Sequence, residues 1–235
     1  MRAGPQSRPG HFRALAADYD GTLAEAGTVS PSTLGALRRL KSGGLRLLLV
    51  TGRHLEDLQG AFPGLGICDL VVAENGALVF TPPAGRITPL APPPAADLIQ
   101  ELERRGVAFT VGRSVVATVR AFEQPVREAI GMLRLDVQLN FNKDALMLLP
   151  AGVDKRSGLL AALGRLEVSP EQVVGVGDGE NDLPFLRACG RSVAVANAVP
   201  ALRNAADVVT AGERGDGVQE LIRLLLADTR TAPPG

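Results

Sequence analysis

Two aspartates, Asp18 and Asp20, stand one residue apart at the end of a short apolar run, in the segment ALAADYDGTLAE. Alternate residues of an extended chain point the same way, so a strand ending in D-x-D aims both carboxylates at one place. Two carboxylates that close repel each other unless a proton or a cation separates them. A hard cation such as Mg²⁺ meets that need, because it takes oxygen ligands and keeps part of its shell for water or substrate phosphate. One carboxylate can then serve as nucleophile and the other as acid and base. A surface turn is the competing reading, since Asp, Gly and Thr are ordinary turn residues.

A second acidic cluster strengthens the chemical reading. The very apolar residues 173–176 run into G-D-G-E-N-D at 177–182. Glycines at the carboxyl end of a strand let the backbone turn sharply and approach a ligand. Asp178 would then share an edge with Asp18, where ligands bind in open α/β sheets, and Asp182 falls near a helix start. An Asx-rich turn with an N-cap is the structural alternative. The spacing is not that of a 12-residue EF-hand loop. Thr51, Gly52 and Arg53 follow another apolar run, where a hydroxyl and backbone N–H groups can hold phosphate oxygens; a capping Thr and a turn glycine explain them equally well. Lys155 opens a helical stretch and could neutralise a phosphate and orient a carboxylate, although most lysines are simply solvated.

These residues need elements to position them. Residues 12–17, 45–50, 69–73 and 173–176 read as buried strands, with 78–80 a further short extended run. Between them, residues 33–41 place Leu34, Leu37 and Leu40 on one helical face, with Ser30 as N-cap, Pro31 at the first helical position and Gly43–Gly44 as the stop. A second helix is predicted over 54–61. This strand–helix alternation is that of a doubly wound parallel α/β sheet. The rhythm breaks at 81–94, where six prolines read as a linker. Beyond it come a helix at 95–106, paired strands at 107–111 and 115–120, a helix at 123–133 and a hairpin at 136–141 and 145–149. This segment is predicted to be a small antiparallel α+β layer inserted into the larger domain. Helix 155–166, short elements at 182–189, 192–196 and 207–209, and helix 218–227 complete the larger domain. The expected organisation is a tail at 1–10, a discontinuous main domain at 11–81 and 151–228, and an insert at 82–150, with 229–235 frayed.

Composition narrows the partners. The 235 residues carry 25 basic and 25 acidic side chains, so no electrostatic case exists for nucleic acid or an anionic membrane. Aromatic residues make up 3%, with no Trp, which argues against base-stacking platforms. Cys68 and Cys189 form no C-x-x-C, so neither a disulfide framework nor a zinc site is suggested, and a reduced, cytoplasmic setting is expected. His11 and His54 are the only histidines, too few for a His-rich metal site. Arg2 and Arg8 are not followed by an apolar stretch of secretory-signal type, and no run is apolar enough to cross a membrane.

Taken in order, the motifs resemble the haloacid dehalogenase (HAD) superfamily of phosphohydrolases. D-Y-D-G-T (18–22), Thr51 in V-T-G-R, Lys155 in G-V-D-K and G-D-G-E-N-D (177–182) are similar to its four motifs, over a stretch from 14 to about 211. A-E-N-G-A (73–77) and A-N-A (196–198) resemble subfamily IIB, the Cof-type group that includes phosphoglycolate and sugar-phosphate phosphatases, which carries a C2-type cap between motifs two and three. The resemblance implies a Rossmann-like core with a small cap. It further implies that Asp18 attacks phosphorus to form an aspartyl-phosphate and that Asp20 is the acid and base. Mg²⁺ would be held by Asp18, the Asp20 carbonyl and Asp178, with Asp182 assisting. Thr51, Gly52 and Lys155 would hold the phosphoryl group, and Arg53, Asn75 and Asn181 would meet substrate. The expected activity is Mg²⁺-dependent hydrolysis of a small phosphate ester, a sugar phosphate or a phosphoglycolate-like acid, by a monomer or homodimer. The alternatives are a phosphomutase of the same fold and a non-catalytic binding module. Substrate choice is expected to fall to the cap near 113–120 and 141–143, where Arg113, Arg120 and Lys143 could meet an anionic tail.

Overall fold

The structure is a computed structural model that describes residues 12–142 and 144–231. The tail read at 1–10, His11, Lys143 and residues 232–235 lie outside the described residues, as do the side chains of 229–231. The chain runs through β1 (Ala14–Ala17), β2 (Ala24–Glu25), β3 (Thr28–Val29), α1 (Pro31–Ser42), β4 (Arg46–Val50), α2 (Leu55–Ala61), β5 (Leu70–Ala73), β6 (Leu78–Thr81) and β7 (Arg86–Pro89). It continues with α3 (Ala96–Arg104), β8 (Thr110–Val111), β9 (Val116–Val119), α4 (Glu123–Leu133), β10 (Val137–Asn142) and β11 (Ala145–Pro150). The last part holds α5 (Lys155–Leu166), β12 (Val173–Gly177), α6 (Leu183–Leu186), β13 (Arg191–Ala194), α7 (Pro200–Ala205), β14 (Val208–Val209) and α8 (Arg214–Thr231).

Eight strands form the main sheet, in the order β14-β13-β12-β1-β4-β5-β6-β7. Neighbours are parallel from β14 to β5 and antiparallel at β6 and β7. Helices cover both faces, so the central strands need no polar side, and all four residues of β1 are fully buried. Register then decides where the motifs meet. Ala17 is level with Val176 on one side and Leu49 on the other, so β1, β12 and β4 end together. The residues that follow them, Asp18, Asp178 and Thr51, emerge at one carboxyl edge.

Local chemistry holds the helices that serve this edge. Ser30 Oγ accepts the Thr33 N–H at 3.2 Å and Pro31 starts α1, as predicted. At α5 the Asp154 carboxylate accepts the Ser157 N–H at 2.7 Å while Ser157 Oγ accepts the Asp154 N–H at 3.0 Å. This reciprocal cap places Lys155 at the first helical position.

A second sheet, β10-β11-β9-β8, is antiparallel throughout. Helices α3 and α4 close one face of it with Leu98, Leu102, Val126 and Ala129 against Val116, Leu146 and Leu148. The other face looks toward the carboxyl edge of the main sheet. Residues 81–94 are not the linker that their prolines suggested. Pro82 and Pro83 sit in a single 3-10 turn, Gly85 takes a left-handed φ of +61°, and β7 returns as the outermost strand of the main sheet. Proline is tolerated there because an edge strand has unpaired N–H positions. The β2–β3 hairpin and α7 were also not read from the sequence.

Candidate active site

Asp18 leaves the end of β1 and is 5% exposed. Its Oδ1 accepts from Lys155 Nζ at 2.5 Å, and the same ammonium donates to Asp182 Oδ1 at 2.6 Å. Lys155 is 2% exposed and Asp182 fully buried. The other Asp182 oxygen accepts the backbone N–H groups of Asp178 and Gly179, both at 2.9 Å. Asp182 therefore shapes the Asp178 loop and anchors Lys155 at once. Asp178 Oδ1 accepts from Thr22 Oγ1 at 3.3 Å. Gly21 has φ +82°, and a Cβ there would lie 2.4 Å from Asp178 Oδ2, so only glycine lets the two loops close.

Carboxylate oxygens of Asp18, Asp178 and Asp182 lie within 4.8 Å of one another. Three carboxylates against one ammonium leave two negative charges in a buried place. An all-oxygen donor set with that deficit fits a hard divalent cation. The acidity of Asp18 carries the same message. Burial pushes its carboxyl up, Asp182 pushes it further, and Lys155 only partly opposes them, so it is raised to about 8. A bound cation would reverse that direction. Burial also works to lower the Lys155 ammonium, but Asp18 and Asp182 outweigh it and hold the pKa above the ordinary value.

Asp20 has a different setting. Its side chain is 46% exposed, and both of its oxygens are taken by Arg53, from Nε at 2.6 Å and from Nη2 at 2.7 Å. The guanidinium also lies 5.1 Å from the centre of the Tyr19 ring. Arg53, read as a substrate contact, is thus committed to Asp20 while still lining the cleft. Thr51 is 1% exposed and its Oγ1 accepts the Arg53 N–H at 3.1 Å. Gly52 lines the cleft beside Asn75, whose Oδ1 accepts from Asn181 Nδ2 at 3.2 Å.

Asp18, Asp20, Thr51, Gly52, Arg53, Asn75, Lys155 and Asn181 line one cleft of about 250 Å³, whereas Asp178 and Asp182 lie outside its lining. The second sheet forms its roof. Thr110, Ala117, Met147 and Asn140 are paired in register across β8, β9, β11 and β10, one residue from each strand, and all face the cleft. Asn142, two residues beyond Asn140, faces it as well. The stretches 113–120 and 141–143 expected to choose the substrate take in Ala117 and Asn142, but Thr110, Asn140 and Met147 were missed, although the alternation N-F-N at 140–142 carried the signal. Within those stretches Arg113, Arg120 and Lys143 had been expected to meet an anionic tail. Arg113 binds Glu56 at 2.7 Å, and the Arg120 guanidinium lies 4.6 Å from the Phe141 ring; neither lines the cleft. Also unread was His54. Its Nε2, with Oδ1 of Asn142 and of Asn181, is buried without a hydrogen-bond partner among the described residues. Polar atoms in that position along a cleft are what a ligand satisfies.

The model of the haloacid dehalogenase-like hydrolases matches residues 15–124 and 120–222. The chain belongs to that family. It is 34% identical over 220 residues to a phosphoglycolate phosphatase of Methanothermobacter thermautotrophicus, covering 90% of this chain and 98% of the relative. A haloacid dehalogenase-like hydrolase from Bacteroides thetaiotaomicron superposes with a TM-score of 0.78 at 21% identity, over 91% of this chain and 99% of that one. The solved structure of a HAD subclass IIB sugar phosphatase gives 0.72 at 19%, over 91% and 98%. The chain is accordingly a phosphoric monoester hydrolase of this family, with the fold of its capped members. No helix among the described residues is long and apolar enough to cross a membrane.

Proposed function

We propose that the chain is a Mg²⁺-dependent phosphatase that acts on a small phosphorylated acid of the phosphoglycolate type through an aspartyl-phosphate. The observation that carries this reading is Lys155 bridging Asp18 and Asp182 beside Asp178. It provides a buried, aimed carboxylate and a cation-sized charge deficit at the mouth of a cleft. Full-length similarity to a relative named for phosphoglycolate supports the substrate class.

In the first half-reaction an Asp18 oxygen attacks phosphorus and the bond to the leaving oxygen breaks. Asp20 gives its proton to that oxygen. In the second, Asp20 takes a proton from water, the water oxygen attacks phosphorus, and the bond to Asp18 breaks. Lys155 keeps Asp18 aimed. Thr51, with the Gly52 N–H, and the Lys155 ammonium hold the phosphoryl oxygens, where transition-state charge is spread. Asp18, the Asp20 carbonyl and Asp178 would hold Mg²⁺, with Asp182 positioning the loop. When bound, the ion supplies the positive charge that lets a carboxylate approach a phosphate. Asn75 and Asn181 face the leaving group, and Arg53 governs Asp20.

The test is phosphate release from phosphoglycolate and a panel of sugar phosphates, with and without Mg²⁺. Asp18→Asn removes the nucleophile with little change of shape and is expected to lower kcat at least about a thousandfold. A wild-type rate in that variant would refute the mechanism, and a sugar phosphate turned over faster than phosphoglycolate would redirect the substrate class.

A further inference from the structure

Glu74 takes no part in the chemistry above. It follows β5, is fully buried, and has a left-handed backbone with φ +53°, as does Asn75 after it. Asparagine tolerates that region, whereas a Glu there is strained. The side chain explains the placement. Its two oxygens are divided between successive N–H groups of the β8–β9 turn, Arg113 N–H to Oε1 at 3.0 Å and Ser114 N–H to Oε2 at 2.9 Å. The turn wraps the carboxylate so closely that a Cβ on Gly112 would lie 2.8 Å from it. Neighbouring contacts run in the same direction. Asn75 Nδ2 reaches Met147 Sδ on β11 at 2.8 Å, and the Arg113 guanidinium returns to Glu56 on α2. The turn joins the strands that carry Thr110 and Ala117, two members of the roof.

We infer that Glu74 is a positioning residue that docks the β8–β9 turn onto the main domain, sets the height of the roof over the leaving group, and so selects which ester is accepted. A carboxylate receiving two backbone N–H groups is a strong, directional fastening. Its burial is tolerable only while those groups are in place. Lifting the turn hands both partners to water, which replaces the lost bonds, so the fastening is reversible and the roof can release product. The selectivity part rests on the phosphatase reading, while the docking part does not.

Three variants of the full chain test it. Glu74→Gly removes the carboxylate and relieves the backbone strain. Glu74→Gln keeps the size but sets an amide donor against one N–H. Gly112→Ala attacks the same contact from the turn. Hydrogen exchange at the Arg113 and Ser114 amides is expected to rise at least about tenfold in all three, with β4 and β5 amides unchanged. With phosphoglycolate and the bulkier p-nitrophenyl phosphate as substrates, KM for phosphoglycolate should rise about tenfold while kcat stays within about threefold. The preference between the two esters should narrow, and inhibition by inorganic phosphate, bound by the main domain, should not change. Glu74→Gly should keep the wild-type Tm. Unchanged exchange at 113–114 would overturn the docking. An equal loss on both esters, accompanied by a fall in Tm, would reduce Glu74 to a scaffold role and overturn the selectivity. A wild-type protein inactive on every ester would instead fail the phosphatase reading, and exchange would still decide the docking.

Discussion

Asp182 offers a quantitative test of how the site is held. Its Oδ2 accepts two backbone N–H groups and its Oδ1 accepts the Lys155 ammonium, all in full burial. Asp182→Asn keeps a carbonyl oxygen for the two N–H groups but turns an amide donor toward Lys155. The loss is one charge-assisted bond, about 2 kcal/mol. Asp182→Ala removes that bond and also leaves two buried N–H groups without an acceptor, at about 1–3 kcal/mol each. The alanine variant should therefore lie about 2–6 kcal/mol below the asparagine variant. Repulsion between Asp182 and Asp18 is relieved in both, so it cancels in the comparison. For a chain of this size that difference corresponds to roughly 4–24 °C in Tm. The assay is urea and thermal unfolding with a chelator present, which keeps cation binding out of the comparison. Equal stability of the two variants would refute the view that Asp182 holds the Asp178 loop by its backbone.

Two further outcomes follow from contacts outside the carboxylate cluster. Tyr19 Oη donates to the Gly27 carbonyl at 2.8 Å and ties the β2–β3 hairpin beside the site; Tyr19→Phe should cost about 1 kcal/mol, and an unchanged urea midpoint would show that bond to be idle. In the small domain, Arg104 first and then Arg105 hold the Glu101 carboxyl down at about 2, against an ordinary 4.5. A lowered folded-state pKa stabilises above the unfolded value, so this contribution is complete above pH 4.5 and is lost as pH falls toward 2. Acid unfolding of the wild type and of Glu101→Gln should accordingly differ at neutral pH and converge through that window; a constant gap would contradict the pairing.

Much of the main sheet was legible because its strands are buried on both faces and its helices carry stop signals. The runs at 14–17, 46–50 and 173–176 are almost purely apolar, and Gly43–Gly44 ends α1 where expected. The motif residues could be placed at one edge because parallel strands that alternate with helices end on the same side. Hidden features depend on contacts distant in sequence. Proline composition masked β7, whose strand character comes from pairing with β6. The β2–β3 hairpin has strands of only two residues, too short for any period to show. Arg53 and Asp20 are 33 residues apart and Glu74 and Ser114 are 40 apart, and nothing local in either segment announces the partner. The roof lies between these cases. Its alternation was readable, but which face met the cleft was decided by the apolar cluster under α3 and α4.

The two aspartates with which the sequence argument began come out unequal, and the inequality is what the proposed chemistry requires. A D-x-D on one strand would present equivalent carboxylates, and equivalent carboxylates compete for the same cation. Here the chain turns directly after β1. Asp18 stays buried against Lys155, while Asp20 reaches the cleft with its side chain about half exposed against Arg53. A nucleophile needs aim and shelter from water, and burial at the end of β1 gives both. An acid and base must pass protons to the leaving oxygen and to water, which only the exposed member can reach. Tyr19, the residue between them, enforces the split: its fully buried ring lies under Arg53 and its hydroxyl is fastened to Gly27. The spacing of the pair thus suits the proposed division of labour, and the intervening residue holds the two settings apart.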